Sequence, residues 1–183
     1  MRYSQGVEVD SLTVPGAKEK LPAPVDGETL REVCGRFVTG VAVITFQGAD
    51  REPTGLTVNS FTSVSLTPAL VLFCVHRDSR ALTAVEAAGA FAVNILAADQ
   101  KELCRAFAAR DTARFAGLAH RSGATGSPLI ADSLGYLDCR VHGIVPGGDH
   151  AIVLGEVVDL GLLREEPPLA FFRSAHPRLE VRA

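Results

Sequence analysis

Residues 55–68, GLTVNSFTSVSLTP, put several small polar side chains within one short stretch. Read as one long β-strand, the stretch places Thr57, Asn59, Ser63 and Ser65 on one face, because side chains two apart in a strand point the same way. Leu56, Val58, Val64 and Leu66 take the other face and are expected to look toward a core. A row of hydroxyls with one amide can hydrogen-bond a phosphate or the edge of a heteroaromatic ring without adding net charge. The same pattern also suits an ordinary half-solvated strand.

Two turns offer complementary chemistry. Ser79 follows an apolar run and opens a helix, in the sequence His76-Arg77-Asp78-Ser79-Arg80. The free N–H groups of a helix start, the Ser79 hydroxyl and the Arg77 and Arg80 guanidinium groups together suit a phosphate. Residues 146–150, Pro-Gly-Gly-Asp-His, form a glycine-rich turn that delivers Asp149 and His150 to the start of a strand. An imidazole there could stack on, or hydrogen-bond to, a second ligand. No Gly-x-Ser-x-Gly is present and no cysteine has a reactive setting, so nucleophilic catalysis is not indicated. A polar nucleotide-like groove with few acid or base groups suits an enzyme whose cofactor carries the bond chemistry.

The elements that must position these residues are mostly strands. With 183 residues, 47% hydrophobic and 21% charged, the chain suits one globular domain. Residues 1–27 lack periodicity and contain Pro15, Pro22 and Pro24, so they read as a flexible N-terminal arm before a domain over 28–183. From Glu28 a helical stripe runs through Leu30, Val33, Cys34 and Phe37. Residues 38–46 read as a strand and 48–51 as a turn. Residues 69–75 read as a strand buried on both faces, and 80–88 as a helix capped by Ser79 and ended by Gly89, with Leu82 and Val85 inward. Residues 90–96 form another buried strand. Asp99 and Glu102 suggest a capping box for a helix carrying Leu103 and Phe107. Residues 111–126 read as irregular, and 134–145 and 151–160 as two long strands. Short helices between many strands predict a mainly β fold, a barrel with peripheral helices. No Gly-x-Gly-x-x-Gly joins a strand to a helix, which disfavours a Rossmann fold.

Composition narrows the function classes. A formal charge of −3 with no basic run argues against nucleic-acid binding. No apolar stretch is long enough for a membrane span, and no export pattern opens the sequence. Cys34, Cys74, Cys104 and Cys139 are widely spaced and fit reduced, mostly buried thiols of a cytoplasmic protein. The five histidines share no metal-ligand spacing, so no metal site is expected.

With these residues in place, the sequence resembles the short-chain flavin reductases that serve two-component flavin-dependent monooxygenases. The resemblance rests on an ordered set: Gly35 to Val41 (GRFVTGV), the stretch 55–65, Phe91 to Leu96 (FAVNIL), and Gly148-Asp149-His150 before Gly155-Glu156-Val157. It implies an FMN-binding split β-barrel. It further implies that Thr57, Val58, Asn59 and Ser60, with Ser63, Val64 and Ser65, cradle the isoalloxazine ring and ribityl chain. Ser79 and Arg80 would hold the phosphate, and Asn94 would approach the flavin or the strands that support it. Asp149 would join the cofactor site, and His150 would sit at the nicotinamide. Arg114 and Phe115 match an Arg-Phe pair that completes the site across a homodimer interface. Val58 replaces a more common Ala, and the C-terminal residues Phe172, Arg173 and His176 match only loosely.

The implied reaction is hydride transfer from NADH or NADPH to FMN or FAD, with reduced flavin passed to a separate oxygenase. The alternatives are an enzyme that retains its flavin and acts directly on an organic substrate, and a non-catalytic flavin- or haem-related binding barrel. The sequence leaves the flavin and nicotinamide identities open.

Overall fold

The computed structural model describes residues 24–109 and 115–180. Most of the expected N-terminal arm, residues 1–23, and Arg114 lie outside the described residues. Helix α1 spans Gly27–Cys34 and is capped by Asp26, whose carboxylate accepts the Thr29 N–H at 2.9 Å. Strands β1 (Thr39–Gly40), β2 (Ala42–Gln47), β3 (Pro53–Val58), β4 (Thr62–Leu66) and β5 (Ala69–His76) follow. Helix α2 (Arg80–Ala88), β6 (Ala90–Ile95) and helix α3 (Lys101–Ala108) come next. The chain then forms β7 (His120–Ser122), β8 (Pro128–Ile130), β9 (Gly135–Gly147), β10 (His150–Leu162) and β11 (Ala170–Phe171).

Seven strands form one antiparallel sheet in the order β3-β2-β6-β9-β10-β5-β4. Its two edge strands are consecutive in sequence, separated only by Asn59, Ser60 and Phe61. A flat sheet of this width would hold its edges nearly 30 Å apart at about 4.8 Å per strand. The link from Val58 to Thr62 reaches at most about 14 Å. The sheet therefore curls until β3 and β4 approach each other, and the result is the expected split barrel.

Alternation along the strands fills the interior with Ile44, Phe46, Phe73, Phe91, Val93 and Val153. Phe73 and Phe91 meet edge to face at 5.1 Å. A second core lies between the barrel and α3, where Val43, Leu96, Phe107 and Ile130 pack together. Helix α2 has the expected ends: Ser79 Oγ accepts the Ala81 N–H at 3.2 Å, and Gly89 stops the helix at φ 65°.

Several expectations are corrected. The stretch 55–68 is two strands, because the chain must turn at residues 59–61 to join the sheet edges. Val64 is an extra residue in β4: Ser63 faces Val71 while Ser65 faces Leu70, so the alternation breaks there. Val64 and Leu66 consequently point outward, Leu66 at 92% exposure, instead of toward the core. Strand β5 is buried on one face only, with Leu70, Leu72 and Cys74 half-covered on the other. The strand expected over 38–46 is two pieces, β1 and β2. No capping box opens α3: Gln100 is the N-cap but its side chain accepts the Ala97 N–H at 3.0 Å instead of capping the helix, and Asp99 pairs with Arg164 at 2.6 Å. Part of the segment expected to be irregular is the β7–β8 hairpin. Of the cysteines, Cys104 and Cys139 are buried, Cys74 is half-buried and Cys34 is exposed. Burial pushes the Cys139 thiol up to about 12.

Candidate functional site: a groove at the barrel seam and a histidine pair at the end of β5

The turn that closes the barrel is also the floor of a groove of about 790 Å³. Asn59, Ser60, Phe61 and Thr62 line one side, and Phe37, Val38, Thr39, Gly40 and Phe171 line the other. Ser60 fixes the turn against β5: its Oγ accepts the Cys74 N–H at 2.9 Å and donates to the Cys74 carbonyl at 3.4 Å. Phe61 packs its ring against the barrel core. Asn59 is exposed, so its amide is available to a ligand. Thr39 Oγ1 is buried and has no hydrogen-bond partner among the described residues. With Arg31 and Ser174 also in the lining, the size and the mix of aromatic walls and polar groups are those of a small-molecule site.

Two residues beyond Cys74, β5 ends at His76. His76 is the direct cross-strand partner of His150, the first residue of β10. Their rings meet edge to face, with centroids 5.3 Å apart and planes at 72°. His150 Nδ1 lies 2.8 Å from Asp149 Oδ1. That hydrogen bond holds the Asp149 carboxyl below its ordinary range. The β9–β10 turn is latched to the residues before α2. The Arg77 N–H donates to the Asp149 carbonyl at 3.0 Å, and the Arg77 guanidinium donates to the Gly148 carbonyl at 3.4 Å. Gly148 supplies the positive φ of 69° that this tight turn requires. Ser79 and Arg80 follow after Asp78, so the α2 N-terminus begins beside this turn.

The profile of the flavin reductase like domain matches residues 34–180. The chain belongs to the flavin reductase like domain family. A reductase subunit (HsaB) of a flavin-dependent monooxygenase from Rhodococcus jostii is 40% identical over 156 residues, covering 85% of this chain and 80% of that protein. Among solved structures, nitrilotriacetate monooxygenase component B from Mycobacterium thermoresistibile superposes with TM-score 0.80 at 41% identity, covering 84% of this chain and 86% of that one. The NADH:FAD oxidoreductase of Streptomyces globisporus, solved with NAD and FAD fragments, gives TM-score 0.80 at 40% identity and covers 88% of this chain and 97% of that one.

Within this flavin reductase like domain, the residues expected at the cofactor divide into groups. Asn59 and Ser60 line the groove. Thr57 turns away from it: its hydroxyl donates to the Cys104 carbonyl at 2.7 Å and ties β3 to α3. Val58 is a core residue. Ser63 and Val64 are exposed on β4, and Ser65 Oγ accepts the Thr67 N–H at 3.2 Å. Ser79, Arg80, Asp149 and His150 are not among the groove-lining residues; they lie together where β5 ends and α2 and β10 begin.

Asn94 and Phe115 lie elsewhere. Asn94 is 0% exposed and spends its amide internally, donating to the Val43 carbonyl at 3.1 Å and Thr45 Oγ1 at 2.9 Å and accepting the Ile130 N–H at 2.7 Å. It offers no atom to a ligand and instead ties β2, β6 and β8 together. Phe115 packs edge to face on Phe107 at 5.2 Å and on His120 at 5.0 Å, beside the second core and away from the groove lining.

Sequence reasoning missed Phe37, Thr39 and His76 as site residues. Phe37 and Thr39 lie in the GRFVTGV motif, which was a usable signal. His76 had none, because its partnership with His150 depends on strand register.

The groove fits a flavin on its own chemistry. Phe37, Phe61 and Phe171 offer apolar surface to a flat ring, while Asn59 and Thr39 Oγ1 offer polar groups to a ring edge.

Proposed function

We propose that this chain is an NAD(P)H-dependent flavin reductase. It moves hydride from NADH or NADPH to FMN or FAD and supplies reduced flavin to a separate flavin-dependent oxygenase. The observation that carries this reading is the groove of about 790 Å³ lined by Phe37, Phe61, Phe171, Asn59 and Ser60, whose Ser60 is bonded to β5, the strand that pairs with His150 at its end. Its family and its monooxygenase-reductase relatives support it.

The flavin, when bound, supplies the hydride acceptor. The chain supplies position and polarity. Asn59 and Ser60 meet the ring edge, and the aromatic walls exclude water from its face. Ser63, Val64 and Ser65 follow along β4 and accommodate the ribityl chain. Ser79 and Arg80 hold the phosphate at the α2 N-terminus. Asp149 orients the His150 imidazole, which meets the nicotinamide. With few fixed charges the groove binds flavin modestly, as a protein that hands its product onward requires.

The active form we propose is a homodimer. Leu66 and Leu162 are 92% and 95% exposed, and Leu30 and Val33 of α1, with Phe37 just beyond it, are uncovered among the described residues of a single chain. Phe115 would complete the site across that interface. The four free thiols fit a reducing compartment, and we place the protein in the cytoplasm.

Steady-state oxidation of NADH and NADPH, with and without added FMN or FAD, tests the reading. Turnover is expected only with added flavin. Flavin retained through purification, with negligible nicotinamide oxidation, would instead indicate direct action on an organic substrate.

A further inference from the structure

We propose that His76 and His150 act as a pair that reads the carboxamide of the nicotinamide nucleotide, His76 Nε2–H donating to its oxygen and His150 Nε2 accepting from its NH₂. The proposal rests on the reductase reading and adds to it a second recognition residue and a hydrogen-bond polarity.

The polarity follows from what each Nδ1 already does. The Asp78 N–H lies 3.2 Å from His76 Nδ1. A backbone N–H can only donate, so His76 Nδ1 carries a lone pair and the neutral ring bears its proton at Nε2. His150 has the opposite arrangement. Its Nδ1 faces the Asp149 carboxylate at 2.8 Å, and an ionised carboxylate can only accept. His150 Nδ1 therefore bears the proton, and the neutral ring has its lone pair at Nε2. Neither Nε2 has a hydrogen-bond partner among the described residues.

The pair is held in register as well as in tautomer. The two residues face each other directly across β5 and β10, with ring centroids 5.3 Å apart. Their side chains are 52% and 45% exposed, so a ligand can reach both. The pair thus presents one donor and one acceptor, the complement of a primary carboxamide, whose oxygen accepts and whose NH₂ donates from the same carbonyl carbon. A flavin edge also alternates donors and acceptors, so the test must separate the two ligands.

The test compares wild type, His76→Phe and His150→Phe in steady-state oxidation of NADH and of its acetylpyridine analogue. The analogue keeps the carbonyl and lacks the NH₂. Phenylalanine keeps an aromatic ring at either position and removes the nitrogens. His76→Phe is expected to raise KM for both dinucleotides roughly 3- to 10-fold, the loss of one hydrogen bond, with flavin KM unchanged. Wild type and His76→Phe should prefer NADH over the analogue, and His150→Phe should lose that preference. His76→Gln, whose amide can still donate, should recover most of the affinity.

An unchanged KM for NADH in His76→Phe would overturn the proposal. So would a shift confined to flavin KM, or a preference for NADH that survives in His150→Phe. Wild-type protein that oxidises no nicotinamide with either flavin would instead sink the reductase reading itself.

Discussion

Ser60 and Cys74 are joined by a reciprocal pair of hydrogen bonds: the Cys74 N–H donates to Ser60 Oγ at 2.9 Å, and the Ser60 hydroxyl donates to the Cys74 carbonyl at 3.4 Å. This contact fastens the β3–β4 turn to β5 two residues before His76. It connects the floor of the groove to the histidine pair along one strand.

Ser60→Ala removes both bonds and leaves a partly buried N–H and C=O of β5 without partners. We expect a stability loss of about 1 kcal/mol, read by denaturant unfolding. Flavin KM should rise roughly 3- to 10-fold as the turn loosens, with a smaller effect on NADH KM. A variant with unaltered flavin KM would remove Ser60 from the proposed site.

Asn94→Ala separates a structural role from a ligand role. The substitution leaves the Ile130 N–H and the Val43 carbonyl without the Asn94 side-chain partner in a closed interior. The expected cost is about 2–4 kcal/mol in unfolding free energy, with flavin affinity of the folded fraction unchanged. Weakened flavin binding at wild-type stability would return Asn94 to the cofactor site.

Much of the architecture was legible in sequence because local rules and tertiary packing agree there. Ser79 and Gly89 bracket α2 by capping chemistry, and the buried run of β6 needed only its continuous apolar residues. The failures occur where partners distant in sequence decide. The 55–68 stretch has strand chemistry throughout, yet barrel closure forces a turn at residues 59–61 and Val64 bulges out of register. Thr57 and Asn59 look alike as polar strand residues. Only the fold shows that α3 takes the Thr57 hydroxyl while Asn59 remains available. Asp99 carries capping chemistry but is drawn to Arg164, 65 residues away.

Acid should destabilise the protein through specific carboxylates. Asp149 is held low by His150, Asp26 by the Thr29 N–H and hydroxyl, and Asp99 by the Arg164 hydrogen bond. Each binds its proton less readily when folded than when unfolded. Their stabilisation is complete above the unfolded value of about 3.9 and is lost as pH falls through the lower folded values. The Tm should therefore fall on acidification below about pH 4, less steeply in Asp26→Asn and Asp99→Asn. An acid limb identical in all three proteins would contradict this assignment.

Leu162→Lys tests the proposed homodimer. Leu162 is 95% exposed in one chain, so the substitution leaves the barrel core untouched. Light scattering should report twice the chain mass for wild type and a shift toward a single chain for the variant. Flavin affinity should fall with dissociation if Phe115 acts across the interface. A wild-type protein that is monomeric at all concentrations would contradict the dimer.

The central claim is that the groove takes the flavin ring and the histidine pair at the end of β5 presents the nicotinamide. A crystal structure of the protein grown with flavin and NAD⁺ tests it most directly. The account predicts the isoalloxazine against Asn59 and Ser60, the phosphate at Ser79 and Arg80, and the nicotinamide within hydrogen-bond reach of His150. A flavin bound elsewhere on the barrel, or a groove left empty at saturating flavin, would contradict it.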